Sequence, residues 1–230
     1  MIEYNVIVLA AGQGKRMNAG KNKQFIELLD EPLIIHTLKN FIQDSWCQHI
    51  YLVINPNEIK QMEELIATYY WQEQITFVHG GSERQESGYK GLLAIDEAKQ
   101  DMVVMIHDGA RPFVSETQLH ELARIAKEKQ AALLAVPVTD TIKRKANDKI
   151  ETLDRSTLWA AQTPQAFDYH LIKKAHEKAV ESGYLGTDDV SLVEALGEQI
   201  EIVRGTYQNV KLTTPEDIMQ AEIILERQEE

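Results

Sequence analysis

The sequence predicts a three-layer α/β fold: one domain over residues 1–230, a largely parallel sheet between two layers of helices, and a hairpin projecting from it. Short apolar runs alternate with amphipathic stretches along the chain, the pattern of βαβ units. A chain of 230 residues that is 43% hydrophobic can bury one large core, and no linker divides it. One segment, Asp140 to Asp154, is too polar to join that core.

The first strand is expected at Val6 to Ala10, followed by a helix over Leu33 to Ile42. Strands at Ile50 to Ile54 and Ile75 to Val78 flank an amphipathic stretch from Glu58 to Tyr70. A helix from Ser87 to Ile95 leads to a strand at Met102 to Ile106, and one from Ser115 to Lys127 leads to a strand at Ala132 to Val136. Ser115 followed by Gln118 fits a capping box, with the two side chains satisfying each other's backbone N–H groups. Helical patterns at Tyr169 to Glu181 and Val190 to Leu196 precede a last strand at Ile200 to Val203. Thr214, Pro215 and Asp217 mark one more helix start. The segment Asp140 to Asp154 reads Thr-Ile-Lys-Arg-Lys, a polar turn Ala-Asn-Asp-Lys, then Ile-Glu-Thr-Leu. A two-stranded hairpin with no apolar face is marginal alone. The arm, roughly Val138 to Leu158, is therefore expected to pack on a second copy as a homodimer.

The net charge of −12 argues against a protein that grips nucleic acid by its phosphates. Charge is unevenly placed, however. From Ala10 to Gln24 there are four cations (Lys15, Arg16, Lys21, Lys23) and no acid, which suits a small anionic ligand as well as it suits a solvated loop. No apolar run reaches the roughly 20 residues that cross a bilayer, so no membrane association is expected. The start Met1-Ile2-Glu3-Tyr4-Asn5 has no basic n-region. One cysteine, Cys47, can make neither an intrachain disulfide nor a zinc site. A cytoplasmic protein is expected.

The strongest local signal directly follows the first strand: Leu9-Ala10-Ala11-Gly12-Gln13-Gly14-Lys15-Arg16-Met17. Two glycines let backbone N–H groups approach an anion, and two cations add charge. A dinucleotide fingerprint fails, because Met17 stands where a third small residue belongs and no suitable acid follows about 20 residues on. A P-loop fails too, since Lys15 occupies the first glycine position that Gly20-Lys21 would need.

Those residues, with Lys23-Gln24 beyond them, resemble the nucleotidyltransferases that activate sugars and alcohols. Seven further motifs narrow the resemblance, in order: Gly80-Gly81-Ser82-Glu83-Arg84-Gln85-Glu86-Ser87, His107-Asp108-Gly109-Ala110-Arg111-Pro112, Pro137-Val138-Thr139-Asp140-Thr141, Asp154-Arg155, Gln162-Thr163-Pro164-Gln165, Thr187-Asp188-Asp189 and Asn209-Val210-Lys211-Leu212-Thr213. Together they resemble the 2-C-methyl-D-erythritol 4-phosphate cytidylyltransferase family over nearly the whole chain. Asn22 departs from it, standing where the family usually has proline.

The resemblance implies a Rossmann-like domain that transfers CMP from CTP to 2-C-methyl-D-erythritol 4-phosphate, in non-mevalonate isoprenoid precursor biosynthesis. A phosphate-monoester oxygen then attacks the α-phosphorus and pyrophosphate leaves. Both reactants are anions, so the enzyme must cancel repulsion, align them and hold charge in the transition state. Arg16 and Lys23 are the candidates for that last role, against a reading as surface charge. Ala10, Ala11, Gly12, Gly14 and Lys15 are expected around the triphosphate.

Asp108 ends a strand at the sheet's carboxyl edge, where α/β folds place ligands. With Ala110 it is expected at CTP, beside a Mg²⁺ ion directly or through water, since a carboxylate facing a triphosphate needs a cation between them. Its alternative is a turn former before Gly109. His107 is expected to be structural. Gly80, Gly81 and Ser87 fit a base and ribose site, or equally a strand-to-helix turn capped by Ser87; the resemblance favours the former. Thr141, Arg155, Thr163, Thr187 and Lys211 resemble the pocket for the substrate phosphate, with Thr141 and Arg155 carried by the arm into the partner's site. Thr187 could alternatively be a helix N-cap.

The nearest rival is a cytidylyltransferase for ribitol 5-phosphate, against which Gly109-Ala110 stands where those enzymes tend to carry Ser-Val. A catalytically silent nucleotide-binding regulator would lack Lys23 or Lys211, and both are present.

Overall fold

The computed structural model describes residues 1–12, 22–96 and 102–229. In chain order these form β1 (Tyr4–Leu9), β2 (Glu27–Leu28), β3 (Glu31–Pro32), α1 (Leu33–Ile42), β4 (Cys47–Ile54), α2 (Ile59–Ala67), β5 (Ile75–His79) and α3 (Arg84–Leu93). There follow β6 (Val103–Asp108), α4 (Glu116–Lys129), β7 (Ala131–Pro137), β8 (Lys143–Ala146), β9 (Lys149–Thr152) and β10 (Trp159–Asp168). The chain closes with α5 (Tyr169–Ser182), α6 (Asp189–Glu194), β11 (Glu201–Arg204) and α7 (Pro215–Glu229). The six expected strands and six expected helices are all present, most with ends shifted by a few residues, and α7 starts at the expected Pro215.

Among the described residues, seven strands form the main sheet in the order β11-β7-β10-β6-β1-β4-β5. β1 pairs in parallel with both β4 and β6, so the strand order reverses beside it. Alternation along β1 sends Val6 and Val8 to one face and Ile7 to the other. Val6 and Val8 pack with Ile35, Leu38, Leu119 and Leu122 of α1 and α4. Ile7 packs with Leu92, Ile172, Ala175 and Val193 of α3, α5 and α6. Those two cores make the three layers. A third cluster, in which Leu212 and Ile224 meet Leu28 and Leu33, docks α7 against β2.

β10 is the element the sequence reading left out. It lies inside the sheet, antiparallel to β6 and β7, and carries Gln162, Thr163, Pro164 and Gln165, a motif to which the sequence assigns no element. Proline in a central strand removes a ladder donor, so it is confined to bulges. The register with β7 shifts between Ala161 and Gln165, which puts Pro164 in such an irregularity. Ser115 forms the expected capping box with Gln118. β8 and β9 form the expected hairpin, turning at Asn147 and Asp148 with positive φ of 47° and 62°, as a two-residue hairpin turn requires. All eight of its strand residues are exposed.

Candidate active site

A cleft of about 310 Å³ opens at the carboxyl ends of β1 and β6, beside the start of α3. This is the point where strand order reverses, the usual ligand position in open α/β sheets. Its lining includes Ala11, Gly12, Lys23, Gly81, Arg84, Ser87, Asp108, Ala110, Lys211 and Thr213.

Asp108 is the electrostatic centre. It is 7% exposed, and Lys211 Nζ lies 2.6 Å from its Oδ2. Arg84 Nε approaches Oδ1 at 3.4 Å, and Arg111 Nε approaches Oδ2 at 3.9 Å. Burial would push the carboxyl pKa up, but Arg84, then Lys211 and Arg111, hold it well below the usual carboxylate range. Arg84 also donates to Asp189 at 2.7 Å. Burial works against its charge, and the two carboxylates raise its pKa above the ordinary guanidinium value. An incoming phosphate would compete with Asp108 for both Lys211 and Arg84. Lys23 also lines the cleft, its Nζ 3.4 Å from the carbonyl of Leu212. Asn22 caps the short turn Lys23–Phe25, accepting from the Gln24 N–H at 3.1 Å.

Behind Asp108 runs a directed chain of hydrogen bonds. The Asp108 backbone N–H donates to Thr163 Oγ1 at 3.0 Å, and Thr163 Oγ1 lies 3.2 Å from His107 Nδ1. His107 Nε2 sits 2.9 Å from the carbonyl of Arg111. A carbonyl can only accept, so Nε2 carries the imidazole proton and Nδ1 accepts from Thr163. The ring is fully buried, and burial lowers its pKa to about 4, against the partial support of the Arg111 carbonyl. His107 is thus a neutral structural group, as the sequence reading expected.

The turn after β5 explains its glycines. A Cβ on Gly80 would stand 2.5 Å from Ala11 Cβ and 3.2 Å from the carbonyl of Ile54. Only glycine lets this turn lie against the first loop. Ser87 does not cap α3, whose N-cap position is Glu83; its hydroxyl accepts from the Gly81 N–H at 3.0 Å. Glu86 accepts from the backbone and hydroxyl of Ser82 at 2.7 and 2.8 Å. The hydrogen bond from Lys90, followed by those from Ser82, draws its pKa down to about 2.

The structure brings together Lys23, Ala11, Gly12, Gly81, Ser87, Asp108, Ala110 and Lys211 from the expected set. Ala10 and Gly80 are buried directly behind this lining. Gly14, Lys15 and Arg16 lie outside the described residues. Thr163 is buried behind Asp108 rather than on the cleft wall. Thr187 is exposed, and the N-cap of α6 is its neighbour Asp188, which forms a capping box with Ser191. Thr141 and Arg155 are exposed at the root of the arm, away from the cleft of their own chain; Arg155 donates to the carbonyl of Thr139 at 2.7 Å. Sequence reasoning assigned no role to Arg84, Asp189 or Gln165, although all three stand inside the quoted motifs. What marks them is pairing across more than 20 residues, which no local pattern carries.

A family profile described as IspD, 2-C-methyl-D-erythritol 4-phosphate cytidylyltransferase, matches residues 4–227. The chain belongs to this family. A protein of that name from Halalkalibacterium halodurans is 53% identical over 229 residues, covering 99% of each chain. Another from Geobacillus thermodenitrificans is 56% identical over 225 residues, covering 97% of each. Among solved structures, the 4-diphosphocytidyl-2C-methyl-D-erythritol synthase of Anaerococcus prevotii superposes with a TM-score of 0.86 at 31% identity, covering 98% of this chain and 96% of that one. The Francisella tularensis enzyme gives 0.81 at 31% identity, with 96% and 99% covered.

Proposed function

We propose that this cleft transfers CMP from CTP to 2-C-methyl-D-erythritol 4-phosphate. The P–O bond formed joins a substrate phosphate oxygen to the α-phosphorus; the bond broken releases pyrophosphate. One observation carries the reading: Lys23, Arg84 and Lys211 line a cleft with the buried carboxylate of Asp108 at the switch point of the sheet. Two polyanions can meet there without prohibitive repulsion. The shared name of the relatives supports the choice of alcohol, and they do not favour ribitol phosphate.

In this reading Ala10, Ala11, Gly12, Gly14 and Lys15 wrap the triphosphate, and Gly80, Gly81 and Ser87 take base and ribose. Arg16 and Lys23 oppose the charge that develops in the transition state. Lys211, Thr187 and Thr163 belong to the substrate-phosphate side, with Thr163 acting through Asp108. Mg²⁺ usually takes one or two carboxylates together with phosphate oxygens and water. Asp108 beside the triphosphate fits that donor set. When bound, such an ion neutralises phosphate charge.

The exposed arm supports a homodimer in which Thr141 and Arg155 of one subunit complete the site of the other. The single free Cys47 suits the reducing cytoplasm; among the described residues no helix is long and apolar enough to cross a membrane. The test is pyrophosphate release from CTP and Mg²⁺, with methylerythritol phosphate and ribitol 5-phosphate compared side by side. Release with ribitol phosphate alone would overturn the assignment.

A further inference from the structure

We infer that Gln85 is a positioning residue that couples the nucleotide half of the site to the substrate-phosphate half. The inference rests on the proposed placement of the nucleotide at Gly80-Gly81 and of the substrate phosphate at Thr187.

Gln85 stands in the first turn of α3, directly after the glycine turn. Its side-chain amide spends both ends on one stretch of backbone. Nε2 donates to the carbonyl of Tyr184 at 3.0 Å, and Oε1 accepts from the Gly186 N–H at 2.9 Å. The next residue along the chain is Thr187. Gly186 packs closely on α6, where a Cβ in its place would lie 2.3 Å from Ser191 Oγ and 2.7 Å from Leu192 Cδ2. The 184–186 stretch is therefore pinned between α6 on one side and the Gln85 amide on the other.

α6 itself has a separate anchor. Gln165 of β10 accepts from the Asp189 and Val190 N–H groups at 3.1 and 3.0 Å and donates to Asp188 at 2.8 Å. Arg84 ties Asp189 to Asp108 as well. Removing the Gln85 amide thus leaves the helix held and frees only the stretch that leads into Thr187. Movement of the α3 start on nucleotide binding reaches Thr187 through this clamp, in parallel with the Arg84–Asp189 pair. Coupling of this kind is a free energy shared by two ligands, and it acts equally in both directions.

The experiment is calorimetry on the full chain. Methylerythritol phosphate is titrated alone, and again with a CTP analogue whose α- and β-phosphorus are joined by a methylene group. In the wild type, nucleotide should tighten phosphate binding on the order of fivefold. In Gln85→Ala that ratio should fall at least about twofold toward one, with nucleotide affinity alone within about twofold of wild type. Gln85→Glu keeps the acceptor for Gly186 but turns a carboxylate toward the Tyr184 carbonyl, and should also lower the ratio. Thr187→Val reports on the underlying pocket: it should weaken the phosphate ligand with and without nucleotide. If it does not, the pocket reading fails independently of Gln85. An unchanged ratio in Gln85→Ala, a ratio of one in the wild type, or an equal loss of both ligands would each overturn the inference.

Discussion

Replacing Thr163 by valine tests whether this residue holds Asp108 in place or meets the substrate directly. Valine matches threonine in shape, so no cavity opens, and what is lost is one hydroxyl at a site 4% exposed. That hydroxyl accepts from the Asp108 N–H at 3.0 Å and serves His107 Nδ1 at 3.2 Å. Both groups would be left buried and unpaired. Each such orphan costs about 1–3 kcal/mol, so Thr163→Val should destabilise the fold by roughly 2–6 kcal/mol. For a chain of this size that corresponds to about 4–24 °C in Tm. Thr163→Ser, which keeps the hydroxyl, should recover most of the loss. Urea denaturation monitored by circular dichroism gives the numbers, with steady-state kinetics on the same preparations. Stability within about 0.5 kcal/mol of wild type, together with a raised KM for the phospho-alcohol alone, would refute the bracing role and place the hydroxyl on substrate.

The same chain of bonds predicts a silent imidazole: His107, with its pKa lowered to about 4 by burial, should show no NMR titration between pH 8 and 6, and a ring titrating above 6 would contradict it. Because its folded pKa lies below the unfolded value of about 6.5, the unfolded chain takes up the proton first. The stability it confers is complete above about pH 6.5 and is lost as pH falls toward 4, visible as a declining urea midpoint. Lys23→Ala should lower kcat by about 10²–10³ while changing CTP affinity little, since the charge it meets grows in the transition state; a raised KM for CTP with kcat intact would make Lys23 a ground-state binder. Mixing inactive Arg155→Ala and Lys23→Ala subunits should restore activity toward half of wild type per heterodimer, and no recovery after proven subunit exchange would exclude a shared site.

Local pattern was enough to read most of this molecule. Periodicity marked six strands and six helices because each buries a face whose spacing is written along the chain. The capping box at Ser115 and the turn at Asn147-Asp148 are chemistry between residues two or three apart. The glycine turns were legible as well, since backbone that must approach closely admits no other residue. Tertiary structure decided the rest. β10 carries no strand signal because its polar residues and proline violate strand patterning. It is a strand because neighbours satisfy it: Gln162 donates to the Thr206 carbonyl, Thr163 serves Asp108 and His107, and Gln165 holds α6. Likewise Asp108 could be recognised as a site residue, but not that Lys211, Arg84 and Arg111 all converge on it, one of them from more than 100 residues away. A sequence records what each residue can bond to; which partner it meets depends on where the fold brings distant segments together, and the charge balance of this cleft is set at that level.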